Sequence, residues 1–367
     1  MTRKILFFLI ATLLAGPARA AQSEWTGVER VVAVGDVHGD FAAFVSVLRA
    51  ARIIDEKNRW IGGKAHLVQT GDIVDRGGES RKAMDLLMSL EKEANKAGGR
   101  VHALIGNHEA MNLYGDLRYT TPEEFAAFRS GRSAEIRSAF WERESQSRPS
   151  PPSGAERDKW DVEHPLGWFE HRLEFGPKGK YGQWIRSHQA VVKINDSLYL
   201  HGGISPRFAE FSLDKINDMV AAELNDFSRI TDRSAVTAED GPLWYRGLSQ
   251  DAGAADSAHV DQLLATYGVS RIVVAHTPTV GAILPRYAGK VIVIDVGLSS
   301  FYGTHPVCLV QELKMTYAVH RGARIPFPED AAADLARYLK RTAELEPMGS
   351  ALAKHLAEVE AALTEKK

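Results

Sequence analysis

The sequence predicts an α/β fold in which mixed β-sheets are flanked by helices, and three observations support this prediction. Short apolar runs such as residues 31–34 alternate with longer segments in which apolar residues recur at helical spacing. Several apolar runs end in a polar loop that contains glycine, as expected where parallel strands deliver the chain to one edge of a sheet. The composition, 44% hydrophobic and 25% charged over 367 residues, is that of a globular protein with ample core material.

The first twenty residues have the pattern of a secretory signal peptide. A basic start, MTRK, precedes the apolar run ILFFLIATLLAG, and small residues at Ala18 and Ala20 predict cleavage after Ala20. The apolar run is shorter than the ~20 residues that a membrane span needs, so we favour cleavage over a retained anchor. We therefore expect an exported protein, periplasmic in a bacterium, without stable membrane insertion once the signal is removed.

The charge and the cysteine content limit which partners the protein can bind and how an exported chain can be stabilised. Removal of the leader leaves 42 basic and 47 acidic side chains, a formal charge of −5. This mildly acidic balance argues against nucleic acid or anionic lipid as a partner. The single cysteine, Cys308, has no partner for an internal disulfide, so an exported chain must be stable without one.

Predicted strands and helices alternate as far as residue 112. RVVAVGDVHGD predicts a strand and its loop, and FAAFVSVLRAARII predicts the next helix. AHLVQTGDIVDRG repeats the strand and loop, SRKAMDLLMSLEKEANKAGG predicts a helix with a glycine stop, and VHALIG predicts a third strand. Later strands are predicted in AVVKINDSLYLHGGI, SRIVVAHTPTVGAILPRYAGKVIVIDVG and CLVQELKMTYAV.

Two predicted helical segments depart from this alternation of strands and helices. Residues 113–189 are charged, contain four of the seven tryptophans and carry a Pro/Ser-rich tip, SQSRPSPPSGAE. We interpret them as a helical insertion that caps the site, because strands resume directly afterwards; a separate domain is the alternative. Residues 326–367 predict a C-terminal helical segment that packs on the sheet. Residues 21–367 are therefore expected to form a single domain.

Five polar loops that follow predicted strands hold the candidate functional residues. Strand ends in such a sheet converge in space, so we expect these loops to share one crevice. Carboxylates, an amide oxygen and imidazoles, without a thiol, suit a divalent ion such as Mn, Fe or Zn. Each loop alone has an ordinary explanation as a turn, whereas all five together favour a metal site. The loops contain Asp36 and His38; Asp72, Asp75 and Arg76; Asn107 and His108; His201; and His276.

The motifs GDVHG, GDIVDRG, GNHE, HGG and VVAH, in this order, resemble those of the phosphoprotein phosphatases within the calcineurin-like metallophosphoesterases. The resemblance spans roughly residues 31–310. It implies a β-sandwich of mixed sheets and a site for two divalent metal ions, with Mn expected to support activity in vitro. It also implies Arg76 as a clamp on the substrate phosphate. It further implies that Asp36, His38 and Asp72 bind the first ion, and that Asp72 bridges to a second ion completed by Asn107, His201 and His276.

His108 is interpreted as a catalytic acid and not as a ligand. Both ions have enough protein ligands without it, and an open position is needed for water and phosphate. We expect His108 to protonate the leaving oxygen, with Asp75 as the second catalytic residue, orienting the imidazole and keeping it cationic. The alternative is that His108 only braces its loop. Glu109 and Asp295 are expected to orient the metal ligands.

Departures from the broader metallophosphoesterases, at His276, and from the common eukaryotic enzymes, at GPLWYRG, indicate the branch. His276 is followed by threonine and proline and not by a second histidine, and GPLWYRG is similar to the bacterial, Shewanella-like branch of these phosphatases. From this motif we assign Arg246 as a second phosphate clamp; a surface arginine is the alternative. Tyr302 and His305 follow a strand end and could touch the substrate. Five further histidines are expected to pack, or in the insertion to line the cleft: His66, His102, His164, His171 and His188.

The expected function is that of a phosphomonoesterase. It would hydrolyse side-chain phosphates of a phosphorylated protein or peptide, on tyrosine, serine or threonine, by direct attack of a metal-bridging water. For the bacterial branch we lean toward tyrosine. The alternatives are a dinucleoside polyphosphate hydrolase or broad phosphoesterase, and a non-catalytic periplasmic binding protein that retains the fold. The first usually has aspartate where this chain has Glu109, and the second should lack a ligand, whereas none is missing.

Overall fold

The computed structural model describes residues 22–250, 255–328 and 332–365. The predicted signal peptide, residues 1–20, lies outside the described residues. Within the described ranges, no helix is both long enough and apolar enough to cross a membrane.

The described strands form two six-stranded sheets, and both sheets are mixed, as predicted. In spatial order, the first sheet contains β1 (Glu24–Trp25), β5 (Val191–Ile194), β6 (Ser197–Leu200), β7 (Arg271–Val274), β9 (Val291–Val293) and β8 (Leu284–Arg286). The second contains β12 (Ala323–Pro326), β11 (Met315–His320), β10 (Val307–Glu312), β2 (Arg30–Val34), β3 (His66–Gln69) and β4 (Arg100–Ala103). Strands β2, β3 and β4 run parallel, and so do β6, β7 and β9.

The helices lie between and after these strands along the chain. They are α1 (Phe41–Ala50), α2 (Ser80–Ala97), α3 (Asn107–Tyr114), α4 (Pro122–Ala126), α5 (Ser133–Gln146), α6 (Gly154–Glu163), α7 (Trp168–Phe175), α8 (Lys180–Arg186), α9 (Leu213–Asn225), α10 (Ser257–Tyr267), α11 (Ala332–Ala343) and α12 (Ala351–Glu365). Capping residues fix the ends of α1 and α2. Asp40 accepts a hydrogen bond from the amide of Ala43 at the start of α1, and Gly98 ends α2 in the left-handed conformation that glycine adopts without strain.

The two sheets pack on each other around one apolar core. Three side-chain hydrogen bonds between described strand residues join the sheets. Arg271 Nη1 on β7 donates to Thr316 Oγ1 on β11 over 2.7 Å, and Gln311 Nε2 on β10 donates to Ser197 Oγ on β6 over 3.1 Å. The hydroxyl of Tyr199 on β6 also donates to Oε1 of Gln311. The observed architecture confirms the predicted mixed sheets flanked by helices. It also explains the near-continuous apolar runs, since strands such as β3 and β6 are buried along their whole length.

The two parallel sets of strands bring their carboxyl ends to the same place. Gly35 follows β2, and Ile294 and Asp295 follow β9 in the other sheet. A Cβ atom on Gly35 would lie 2.5 Å from the carbonyl oxygen of Ile294, so only glycine permits this approach. The loops after all six parallel strands therefore meet at one edge of the sandwich.

The helical segments differ in detail from the sequence expectation. Five short helices, α4 to α8, occupy the region 113–189, and part of the Pro/Ser-rich tip is helical in α6. The C-terminal segment begins later than residue 326, because Pro326 is the last residue of β12. Proline is tolerated there since β12 is an edge strand, where a missing amide donor costs little. Pro347 and the left-handed Gly349 lie between α11 and α12, so the segment is two helices.

Candidate active site

Two groups of buried side chains at the strand ends could each hold a metal ion. His38, Asp72 and His108 form one group, and Asp72, His201 and His276 form the other. In each group the possible ligand atoms all lie within 4.8 Å of one another. Asp72 belongs to both groups. The groups contain four of the six predicted ligands, from both sheets, together with His108, which was predicted not to be a ligand.

The second group is the tighter one. The Nε2 atom of His201 lies 2.9 Å from Oδ1 of Asn107, 3.1 Å from Nδ1 of His276 and 3.3 Å from Oδ1 of Asp72. Metal–ligand bonds of about 2.0–2.2 Å place neighbouring ligand atoms about 3–4 Å apart, so these separations suit one ion. Asn107 enters the cluster because it is the first residue of α3, directly after the loop that follows β4.

The first group is more open. The Nε2 atom of His38 lies 3.8 Å from Oδ2 of Asp36 and 3.8 Å from Oδ2 of Asp72. Asp72 therefore turns Oδ2 toward His38 and Oδ1 toward His201. This two-sided orientation is what a carboxylate shared by two cations requires. Asp36 also accepts a hydrogen bond from the amide of His276 over 3.3 Å, which ties the first group to the second.

The orientation of two histidine rings suits a cation in these groups. Nδ1 of His38 lies 3.1 Å from the carbonyl oxygen of Val74, and Nδ1 of His201 lies 3.0 Å from that of Thr70. Because a carbonyl can only accept, Nδ1 of each ring donates to it, and Nε2 of each ring faces a carboxylate oxygen of Asp72. Imidazole nitrogens and carboxylate oxygens that converge in a buried place suit a divalent cation between them. Such backbone contacts also orient histidine ligands in metal proteins generally.

The pKa values of the carboxyl groups are shifted by burial and by the charged groups around them. Burial, followed by the charges of Asp295 and Asp72, raises the pKa of Asp36 well above its usual value. Burial disfavours ionisation of Asp72 as well, yet the neighbouring histidines hold its pKa well below the usual value. Burial lowers the pKa of His38 to about 4, so its ring is neutral and free to act as a ligand at physiological pH. A bound cation would offset the repulsion between the acidic groups.

Glu109 holds the loops that carry two of the ligands. Its carboxylate accepts hydrogen bonds from the amides of Asp72 (2.7 Å), Ile73 (2.8 Å) and Gly106 (2.8 Å), and its side chain is buried. It thus joins the loop after β3 to the start of α3. Asp295, the other residue predicted to orient ligands, is buried, and its Oδ1 accepts a hydrogen bond from the amide of Gly297 over 3.0 Å.

His108 and Asp75 form a buried pair beside the metal ligands. The Nδ1 atom of His108 lies 2.6 Å from Oδ2 of Asp75, and Nε2 lies 3.7 Å from Oδ2 of Asp72. Burial favours the neutral imidazole, but the charge of Asp72 and the hydrogen bond to Asp75 outweigh it and raise the pKa of His108. A histidine that keeps its proton near neutral pH can donate it to a leaving group. Its position also places it within reach of a metal ion, so the assignment as acid stays a prediction.

Arg76 stands at the mouth of the site among aromatic rings. Its guanidinium carbon lies 4.7 Å from the ring centroid of Tyr119, 4.9 Å from that of Phe301 and 5.5 Å from that of Tyr302. Tyr119 is 36% exposed and Phe301 is 59% exposed, so both rings are open to solvent. Stacking of this kind orients a planar guanidinium.

Arg246 lies beside the second group of ligands. Its Nη1 atom donates to the carbonyl oxygen of His276 over 2.8 Å and to Oγ1 of Thr277 over 3.0 Å. The alternative of an unattached surface arginine is therefore disfavoured, because these bonds fix the guanidinium next to a ligand loop. The structure thus places both predicted phosphate clamps near the metal groups, on different loops.

Several other residues took positions that the sequence left open. The Tyr302 ring lies 5.7 Å from that of His38, whereas His305 binds Glu346 of the C-terminal segment. His66 and His102 contact each other over 3.0 Å, and both rings lie near that of Trp25. In the insertion, the three histidines pack: His164 stacks on Trp160, His171 lies among phenylalanines and His188 pairs with Glu91.

Sequence reasoning missed three contributors from the insertion, Tyr119, Thr120 and Glu124. Thr120 Oγ1 donates to Oδ1 of Asp75 over 2.7 Å, and Glu124 Oε2 accepts from the amide of Asp75 over 3.0 Å. No motif marks these residues, because they reach the site through the path of the insertion and not through a strand end.

Comparisons with known proteins agree with this geometry. The profile of the calcineurin-like phosphoesterase family matches residues 29–280. Shewanella-like protein phosphatase 2 of Arabidopsis thaliana is 31% identical over 296 residues, which cover 76% of this chain and 73% of that protein. Shewanella-like protein phosphatase 1 of Plasmodium berghei is 26% identical over 76% of this chain and 69% of that protein. A crystal structure of a cold-active protein-tyrosine phosphatase of a psychrophilic Shewanella species matches with a TM-score of 0.65 at 29% identity, over 83% of this chain and 82% of that one.

Proposed function

Since the chain belongs to the calcineurin-like phosphoesterase family, in its Shewanella-like branch, and is a metal-dependent phosphatase, we propose that it hydrolyses phosphotyrosine in proteins or peptides. The observation that carries this proposal is the two-sided carboxylate of Asp72 next to the buried His108–Asp75 pair. Two divalent ions held by the six ligand residues, manganese in assays, would activate a water molecule and offset the charge of the phosphate oxygens.

Side chains of the protein would bind the phosphate and transfer the proton. Arg76 and Arg246 would bind phosphate oxygens from two loops, with Arg76 able to use its planar fork. His108 would give the proton on Nε2 to the leaving oxygen, because Nδ1 is already bonded to Asp75. Asp75 would stabilise the cationic imidazole before the transfer.

The preference for tyrosine is supported by the aromatic residues around Arg76. The ring of Tyr119 lies 5.0 Å from that of His108, the residue that would protonate the leaving group. An aryl leaving group could pack there against Tyr119 and the exposed Phe301, whereas the short side chains of serine and threonine could not cover the same surface. The similar Shewanella enzyme is named a protein-tyrosine phosphatase.

The experiment that tests the substrate class is a panel of phosphopeptides that differ only in carrying phosphotyrosine, phosphoserine or phosphothreonine, assayed for released phosphate with added Mn²⁺. We expect the phosphotyrosine peptide to be hydrolysed fastest. Tyr119→Ala and Phe301→Ala should lower kcat/KM for phosphotyrosine by about tenfold, the effect of one aromatic contact, and should affect the other peptides less. Phe140→Ala, which removes another exposed aromatic ring of the insertion, is the matched control. Equal rates on the three peptides would contradict the tyrosine preference.

We also propose that the protein is exported, on the strength of the leader pattern alone. The periplasmic fraction of the source cell should contain a protein whose N-terminus is Ala21. Full-length protein retained in the membrane fraction would contradict the cleavage.

A further inference from the structure

The turn that carries Asp75 and Arg76 is strained. Both residues are in the left-handed region, with φ angles of 70° and 65°, and neither is glycine. Such a conformation is unfavourable for residues with a Cβ atom, and two in succession persist only where surrounding contacts hold them. Because these two residues carry the orienting carboxylate and a phosphate clamp, whatever holds the turn also sets the geometry of the reaction.

Residues 119–124 of the insertion, here named the insertion clamp, make those contacts. The amide of Arg76 donates to the carbonyl oxygen of Tyr119 over 3.0 Å, and the amide of Asp75 donates to Oε2 of Glu124 over 3.0 Å. Both backbone donors of the strained turn are thus accepted by one six-residue stretch. Glu124 is buried and sits on α4, whose first turn is capped by the hydroxyl of Thr121.

The clamp also binds the carboxylate of Asp75. Oδ2 of Asp75 bonds to His108, and Oδ1 accepts the hydroxyl of Thr120 over 2.7 Å. The alternative acceptor of that hydroxyl, Oδ1 of Asn112, is farther away at 3.5 Å. Each oxygen of Asp75 therefore has one partner, and the Thr120 bond fixes the rotation of the carboxylate that aims the imidazole.

We propose that Thr120 and Glu124 are positioning residues for the reaction, so that the helical insertion is part of the catalytic apparatus. Thr120 sets the rotation of Asp75 and through it the direction of the His108 proton, while Glu124 holds the strained turn from its backbone side. This inference rests on the proposed role of His108 as the acid. It gives the insertion a second task beside the proposed contact of Tyr119 with the leaving group.

The leaving group of the substrate distinguishes positioning of the acid from general support of the fold. p-Nitrophenolate departs with little need of a proton, whereas the phenolate released from phenyl phosphate needs one. A variant with a misaligned acid should therefore fail on phenyl phosphate and spare p-nitrophenyl phosphate. A variant that only loosens the fold should lower both rates alike.

The central variant is Thr120→Val, which keeps the shape and removes the hydroxyl. We expect its kcat for phenyl phosphate to fall about tenfold, the usual scale for losing a hydrogen bond to a charged group, with less than about a threefold fall for p-nitrophenyl phosphate. Thr120→Ser should restore the wild-type ratio of the two rates. Glu124→Leu should show the same selective loss with a lower melting temperature, and Glu124→Gln, which keeps an acceptor, should lose less.

Ser133→Ala is the matched control. Ser133 is also a buried hydroxyl of the insertion that bonds to a carboxylate, that of Glu170, but it does not contact Asp75 or His108. Its loss should leave the ratio of the two rates unchanged. Melting temperature and bound metal, measured for every variant, identify any that fail to fold.

His108→Asn separates the inference from the function on which it rests. If His108 is the acid, His108→Asn should itself be selective for phenyl phosphate, and adding Thr120→Val to it should change the ratio no further. A selective His108→Asn with a non-selective, folded Thr120→Val would overturn the positioning role alone. A non-selective His108→Asn would overturn the acid role, and the inference with it.

Discussion

The Nδ1 atom of His108 lies 2.6 Å from Oδ2 of Asp75, with both side chains buried. The geometry is that of a charge-assisted hydrogen bond, and it leaves Nε2 of His108 as the only nitrogen that can face a substrate. Of the three polar residues in the GNHE motif, Asn107 faces the metal group, Glu109 holds the loops and His108 faces the site. Each has a separate task that mutation can test.

For His108→Asn we predict a fall in turnover of ~10²–10⁴-fold with bound metal near the wild-type amount, because the acid is lost and the ligands remain. Steady-state kinetics and elemental analysis of the purified variant check this. Loss of one ion together with activity would show that His108 is a ligand and not the acid.

Substitution of Asp72, the carboxylate that faces both groups, should remove bound metal, whereas His108→Asn should retain it. Asp72→Ala is expected to lose metal from both groups, since its two oxygens face them separately, whereas Asn107→Ala should weaken only the second. Metal content after dialysis measures the difference. Asp158→Asn, on the surface of α6, is the control and should bind metal as the wild type does. Equal metal loss in the Asp72 and Asn107 variants would argue against a shared ligand.

Glu109→Ala should destabilise the protein strongly. Three buried amides lose their acceptor at once, and at about 1 kcal/mol or more for each the free energy of unfolding should fall by about 3 kcal/mol. Thermal unfolding of the metal-free protein measures this without the contribution of bound ions. Glu142→Ala, an exposed glutamate in α5, should have little effect. A melting temperature unchanged in Glu109→Ala would show that water replaces the carboxylate.

His171 should make the protein sensitive to acid. Its ring is fully buried among Phe125, Phe128 and Phe175, and burial, with a smaller effect from Arg172, lowers its pKa to about 3. The unfolded chain takes up this proton near pH 6.5 while the folded chain does not. Stability is therefore present above about pH 6.5 and is lost as the pH falls toward 3, by up to about 1.4 kcal/mol per pH unit.

We predict that His171→Phe removes this contribution, so that the free energy of unfolding changes less between pH 7.5 and pH 5 than in the wild type. Neither ring nitrogen of His171 has a hydrogen-bond partner among the described residues, so phenylalanine should not strand a polar group. Urea unfolding at the two pH values tests the prediction. The same pH dependence in wild type and variant would contradict it.

Much of the fold could be predicted because its signals are local. The apolar runs of β2, β3 and β4, and the glycine that ends α2, are written in consecutive residues. The last strand, β12, at the edge of the second sheet, was less predictable. Pro326 was expected to begin a helical segment, yet it closes β12, because position at a sheet edge and not local preference decides whether proline fits a strand.

The sequence by itself determined which residues follow the strand ends and were predicted as metal ligands, since their motifs can be recognised without coordinates. Only the tertiary structure decided which carboxylate oxygen faces which histidine, and that Thr120 and Glu124 hold Asp75 from 45 and 49 residues along the chain. The physical reason is that a strand end is specified by its neighbours in sequence. A hydrogen bond between an insertion and a strained turn depends on where packing places two distant segments.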